Sequence, residues 1–200
     1  ETKLIEAKEY MAPTSSTVLG IQLDLVELYN DQGEYIKAIK HAENLIENIT
    51  QVFGDKHPFL VQAFMSQAST YRATGKIDEA SSFADKAYEL SLAVNGLVHQ
   101  TTAKAKNLLG GLAYVRGDQE AALIELREAA KLYDQSLGQD HPDAWEVKAN
   151  LAVMLAVAKK SLDATEILEP VFHRQVEILG KSHQSTLYTQ SILTRLYVDI

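Results

Sequence analysis

Residues 57–98 read HPFLVQAFMSQASTYRATGKIDEASSFADKAYELSLAVNGLV, and this stretch decides the fold. His57-Pro58 opens a first helix, with Pro58 at the first helical position, where its missing N–H costs nothing and its fixed φ helps. Val61, Phe64, Ala68 and Tyr71 follow at helical spacing. Gly75 ends that helix, at a point where the chain must turn through positive φ. A second helix from about Ile77 to Val94 carries Ala80, Phe83, Ala84, Ala87 and Leu90, and Gly96 closes it.

Working outward, the plan recurs at a fixed step. His57, His99, His141 and His183 each stand 42 residues after the last, and Gly54, Gly96, Gly138 and Gly180 precede them by three. Gly33, Gly75 and Gly117 form a second ladder, and Ala38, Ala80, Ala122 and Ala164 a third. Seven of the ten glycines fall on the two glycine ladders, so glycine marks repeat boundaries here and not a phosphate-binding loop. An internal period of this size indicates stacked units sharing a core, because one short helix pair cannot bury its own apolar face. The units are expected at 15–56, 57–98, 99–140 and 141–182, with 1–14 as the tail of a preceding second helix and 183–200 as the first helix of a further or capping repeat. Ala38, Ala80, Ala122 and Ala164 are expected where the helices of a pair cross closely, and Val26, Ala68, Gly110 and Ala152 do the same on the first helices.

Composition narrows the function classes. Apolar residues make up 46% and charged residues 23%, too apolar for a disordered chain. A formal charge of −8, with ten acids against five bases in residues 1–56, argues against bulk nucleic-acid binding, which needs basic surface. No apolar run approaches a membrane span, the start carries no secretory pattern, and there is no cysteine, so a cytoplasmic location is expected. Glu1 opens inside a helical pattern and Ile200 falls within a unit, which reads as a piece of a longer protein.

In Leu25-Val26-Tyr29, followed by Gly33 and Ala38, the spacing resembles a tetratricopeptide repeat. The 42-residue unit with a Gly-x-x-His-Pro junction, complete in Gly54–Pro58 and Gly138–Pro142, resembles the kinesin light chain type; the junctions after Gly96 and Gly180 carry Gln for Pro. The resemblance implies an all-α, right-handed superhelical solenoid of antiparallel helix pairs whose first helices line a concave groove. It implies a protein–protein interaction module that holds a peptide or helix of a partner, and no catalytic residue or cofactor. The alternative it leaves open is a ligand- or peptide-sensing regulatory region of a signalling protein, such as a kinase or transcriptional regulator.

Inward-facing positions are expected one, four, eight and eleven residues after the start column Leu19, Val61, Ala103, Trp145 and Leu187. The groove candidates are Gln62, Met65, Ser69 and Arg72; Lys104, Asn107, Gly111 and Tyr114; Glu146, Asn150 and Val153; and Arg195. Gly111 either lets a ligand approach the backbone or answers a packing need beside Gly110. Arg72, Lys104 and Asn107 fall near places where some such arrays clamp a terminal carboxylate, an incomplete match. Asn150 keeps one of the family's paired asparagine positions, whereas Asp24, Glu27 and Asp31 oppose transfer of the kinesin light chain preference for acidic-flanked tryptophan peptides.

The histidine ladder invites a metal reading, which geometry rejects. Metal ligands must converge to about 2 Å from one ion, whereas equivalent residues in successive repeats lie on the order of 10 Å apart. A capping or packing role at each helix junction is expected instead. No nucleophile elbow, phosphate loop or His-Glu-x-x-His motif occurs. Two departures mark the last full unit: Lys159 replaces the turn glycine, and Pro170 should bend or break its second helix. Trp145, the single tryptophan, is expected as a buried anchor and not a ligand-stacking platform.

Overall fold

The structure is a computed structural model that describes residues 15–200. The expected helix tail at 1–14 lies outside these residues. Among the described residues every regular element is a helix: α1 Ser16–Asp31, α2 Tyr35–Phe53, α3 Pro58–Ala73, α4 Ile77–Asn95, α5 Gln100–Arg116, α6 Gln119–Leu137, α7 Pro142–Val157, α8 Ser161–Leu179 and α9 Gln184–Val198. The fold is an all-α solenoid of helix pairs. The first helices begin at 16, 58, 100, 142 and 184, and the second helices at 35, 77, 119 and 161, so each set keeps the 42-residue step.

The chain forms two compact units, one ending at Leu97 and the other running Val98–Ile200. In the first, α1 packs on α2 and α3, α3 packs on α2, and α4 on α3. Its interior is built from Leu19, Leu23, Leu45, Ile49 and Leu60, and from Val26, Tyr29, Ala38 and Ala42. In the second, each helix from α5 to α9 packs on the next, and α7 also meets α9. One continuous core runs through that unit, with Leu126, Trp145, Leu155, Leu168 and Leu193 among its members. Each such large side chain contributes about 1.5–3 kcal/mol when fully buried.

The small-residue columns do what close crossing requires. Ala38, Ala80, Ala122 and Ala164 have no exposed surface. A Cβ at Gly110 would lie 2.7 Å from Leu126 Cγ and 3.3 Å from the Leu126 backbone nitrogen, so α5 touches α6 through a missing side chain. Tyr29 is buried against His41 and Tyr71 stacks on Phe83, whereas Tyr197 is half exposed and donates to Glu169 at 2.7 Å.

Most helix ends have an identifiable chemical cause. His57, His99, His141 and His183 are the N-cap residues of α3, α5, α7 and α9. In each case Nδ1 accepts from the backbone N–H two residues on: Phe59 at 3.3 Å, and Thr101, Asp143 and Ser185 at 3.2 Å. Ser15 and Asp118 cap α1 and α6 through their side-chain oxygens. First helices end in a left-handed residue, where a backbone N–H reaches back across the last turn, as Glu34 to Tyr29 at 2.8 Å.

Of the bend or break expected at Pro170, the break is absent: α8 runs as a helix through Pro170 and has the same 19 residues as α2, α4 and α6. Pro170 is on the exposed side, between buried Leu168 and Val171, so the backbone carbonyl it leaves without an intrahelical donor is not sealed in the core. Lys159 takes the turn position with φ 61°, the one non-glycine at positive φ among the described residues.

Candidate functional site

The face of the first helices follows from helix geometry. Successive residues turn about 100°, so positions one and eight after the start column stand about 100° and 80° from it, and position four only about 40°. Leu19, Val61, Ala103 and Trp145 of the start column are buried. At position four Leu23, Met65 and Ala149 are buried and Asn107 is half-buried, whereas Ser191 on α9 is exposed. Met65, at 7% exposure, is buried, in contrast to the exposed or half-buried positions of the other candidates.

The other candidates are accessible. In the first unit Gln62 and Arg72 are exposed and Ser69 is half-buried on α3. In the second, Lys104 and Tyr114 are exposed on α5, with Asn107 and Gly111 half-buried between them. On α7, Glu146 and Val153 are exposed and Asn150 is half-buried; on α9, Arg195 is exposed. A Cβ added at Gly111 would meet nothing within 4 Å, in contrast to neighbouring Gly110. Packing therefore does not require glycine at 111, and the backbone there is open to an approaching group.

The second unit also contains a cavity of about 270 Å³. It is lined by Trp145, Glu146 and Ala149 of α7, Gln175 of α8, and Gln184, Ser185, Tyr188 and Thr189 at the start of α9. Glu146 is the one groove candidate it brings in; Lys104, Asn107, Gly111 and Tyr114 do not line it. Trp145 is buried at 3% exposure, yet its side chain forms part of the wall. Sequence reasoning missed Gln175, although its column carried a signal: Ile49, Ser91 and Tyr133 stand at the equivalent positions, all buried.

Charge near this cavity is negative. Tyr133, buried on α6, has its phenol pushed up by burial and then by the carboxylates of Asp143 and Glu146. The neighbouring cations are engaged elsewhere: Lys148 with Asp134 at 2.7 Å, and Arg174 with Asp140 at 2.6 Å and with Glu177. On α5, Lys106 bridges to Glu125 and Glu128, each at 2.8 Å. Among the described residues no group of three or more His, Asp or Glu side chains is arranged to hold a metal ion.

Comparison with known proteins places this architecture. The tetratricopeptide repeat profile matches residues 17–93 and again 102–143, which together span more than half of the chain. The chain belongs to the tetratricopeptide repeat family. The array is of the kinesin light chain type: a kinesin light chain-related protein of Arabidopsis thaliana is 22% identical over 183 residues, 90% of this chain and 29% of that protein. A clustered mitochondria protein homolog of Neosartorya fischeri is 26% identical over 157 residues, 77% of this chain but 12% of its own length. The array thus spans a minor part of both relatives.

Among solved structures, BtubC (BKLC) from P. vanneervenii superposes with a TM-score of 0.81 at 20% identity, covering 98% of this chain and 79% of that one. TPR-like repeats of kinesin light chain type from Podosopora anserina superpose with a TM-score of 0.79 at 22% identity, covering 90% and 85%. At such identity the likeness speaks for the fold. The tetratricopeptide array is a protein-interaction scaffold of non-enzymatic type, and no described helix is long and apolar enough to cross a membrane.

Proposed function

We propose that the first-helix face of the array binds a peptide or a helix of a partner protein. In the second unit Lys104, Asn107, Gly111 and Tyr114 are its centre, with Glu146, Asn150, Val153 and Arg195 alongside. Gln62, Ser69 and Arg72 offer the corresponding positions on α3 of the first unit. The array itself carries out no catalysis on this reading, and takes no cofactor.

One observation carries the reading: α5 holds a glycine in mid-helix that packing does not demand. Glycine inside a helix costs about 0.5–1 kcal/mol relative to alanine. A Cβ at 111 would meet open space, so that cost has no return in the folded chain. Close approach of a partner to the α5 backbone supplies the return. The exposed Lys104 and Tyr114, one toward each end of the helix from Gly111, support recognition by mixed polar and aromatic contact.

The test separates folding from binding. Peptides are selected on the chain from a random displayed library, and their affinities are then measured for Gly111→Gln and Asn107→Ala. Gly111→Gln is expected to raise the melting temperature, since glutamine is the better helix former. It should nevertheless weaken the selected peptides at least tenfold. Unchanged affinity in both variants would remove the face from consideration.

A further inference from the structure

We infer that the cavity between α7, α8 and the start of α9 is a subsite for a cationic side chain, lysine or arginine, of a bound peptide. The inference deepens the groove reading and rests on it for the rest of the peptide. It stands on three features that no packing requirement explains together.

The first is Gln175. Its side chain is buried at 2% exposure, it lines the cavity, and its Oε1 has no hydrogen-bond partner. The array fills the equivalent positions with Ile49, Ser91 and Tyr133, so an amide here is a local choice and not a repeat requirement. A buried acceptor left unmatched opposes folding, and turning the amide about its last side-chain bond would present Oε1 to a donor that enters the cavity. The second feature is Glu146, exposed at the cavity wall and outside every ion pair among the described residues. It is the one charged side chain among the cavity-lining residues, so the charge they present is negative. The third is the nonpolar part of the wall, Trp145, Ala149 and Tyr188, against which the methylene stem of a long basic side chain can lie.

These features select among guests. No cationic side chain lines the cavity, so an acidic guest would face Glu146 with only the N-terminal turn of α9 in its favour. A purely apolar side chain would fit the aromatic wall but would seal Gln175 Oε1 beneath hydrocarbon. A lysine ammonium or arginine guanidinium brings donors to Gln175 and charge to Glu146 while its stem covers Trp145 and Tyr188. The volume, about 270 Å³, suits one side chain and not a folded segment.

Trp145 is the only tryptophan and lines the cavity, so its fluorescence reports occupancy. The probes are Ac-Ala-Arg-Ala-NH2, Ac-Ala-Lys-Ala-NH2, and the same tripeptide with norleucine or glutamate at the centre, titrated into the chain. The arginine and lysine peptides are expected to give a saturable change in the millimolar range, at least tenfold tighter than norleucine or glutamate. Glu146→Gln should weaken them about tenfold, and Gln175→Leu, a residue type akin to Ile49 in that column, should do the same without lowering the melting temperature. Equal binding of the norleucine peptide, no saturable change with the basic peptides, or indifference to Glu146→Gln overturns the inference. If library peptides still depend on Asn107 and Gly111 in that event, the groove reading stands and only the basic subsite falls. If the basic tripeptides saturate but no library peptide depends on α5, the subsite stands and the groove reading falls.

Discussion

At the scale of single residues, the two glycine ladders differ in how strictly they need glycine. Gly54, Gly96, Gly138 and Gly180 close the second helices at φ between 82° and 89° with ψ between 159° and 179°, a region that is essentially closed to residues with a Cβ. Gly117 ends α5 at φ 89° and ψ 5°, within the left-handed region that other residues can occupy at a cost. That is why the first ladder is complete while Lys159 interrupts the second. Gly138→Ala is accordingly expected to cost more than Gly117→Ala in denaturant titrations, and Lys159→Gly to stabilise by about 1 kcal/mol. Lys159→Gly that fails to stabilise would mean the lysine side chain compensates its backbone. The histidine ladder was legible as a column and as a junction feature, but the donor it serves was not, since spacing does not say which backbone N–H meets Nδ1. Replacing His141 by Ala should cost about 1 kcal/mol through loss of the bond to the Asp143 N–H, and Asn, a side-chain acceptor of cap type, should restore most of it. An alanine variant as stable as the parent would assign His141 no capping role.

At the scale of elements, helix type and placement were readable because apolar periodicity and punctuation agree in every unit. Positions around each helix were less so. Met65 was expected to face a partner because it stands four residues after the start column, and that position is buried on α3 but half-buried on α5, so the column does not fix exposure. Gln175 was passed over for the converse reason: an amide on a second helix reads as surface until burial shows otherwise. Pro170 does not break α8, and its orientation is the reason. A proline forfeits one N–H and crowds the preceding turn, and an exposed turn can relax around it where a buried one cannot. The helix is retained, but the lost hydrogen bond is still a cost. Pro170→Ala is thus expected to stabilise the second unit by up to about 3 kcal/mol, read from thermal or urea unfolding followed by Trp145 fluorescence. No gain would show that the turn before Pro170 has relaxed completely.

At the scale of the molecule, the 42-residue period makes a demand that local features do not. If each unit presents the same kind of surface to its successor, one whole unit can be removed without changing what the remaining helices face. The second compact unit gives a clean case. Deleting residues 141–182 joins Asp140 to His183, another N-cap histidine, so α6 would meet α9 where it now meets α7. The substitutes are imperfect, because the buried Ala144 of α7 corresponds to Thr186, whose hydroxyl is buried without a partner. The shortened chain should therefore melt at a lower temperature but keep the parent's helical signal per residue. Deleting 141–186, four residues beyond a full period, should lose helix beyond the residues removed, because α9 would then enter without its cap histidine and its first turn. Both deletions also remove Trp145, Glu146 and Gln175, so the basic tripeptides should no longer bind even where the fold survives, read by calorimetry because the tryptophan is gone. Equal loss of helix in the two deletions would mean that the interfaces are individually specialised, and that the period records descent of the units more than interchangeability of their surfaces.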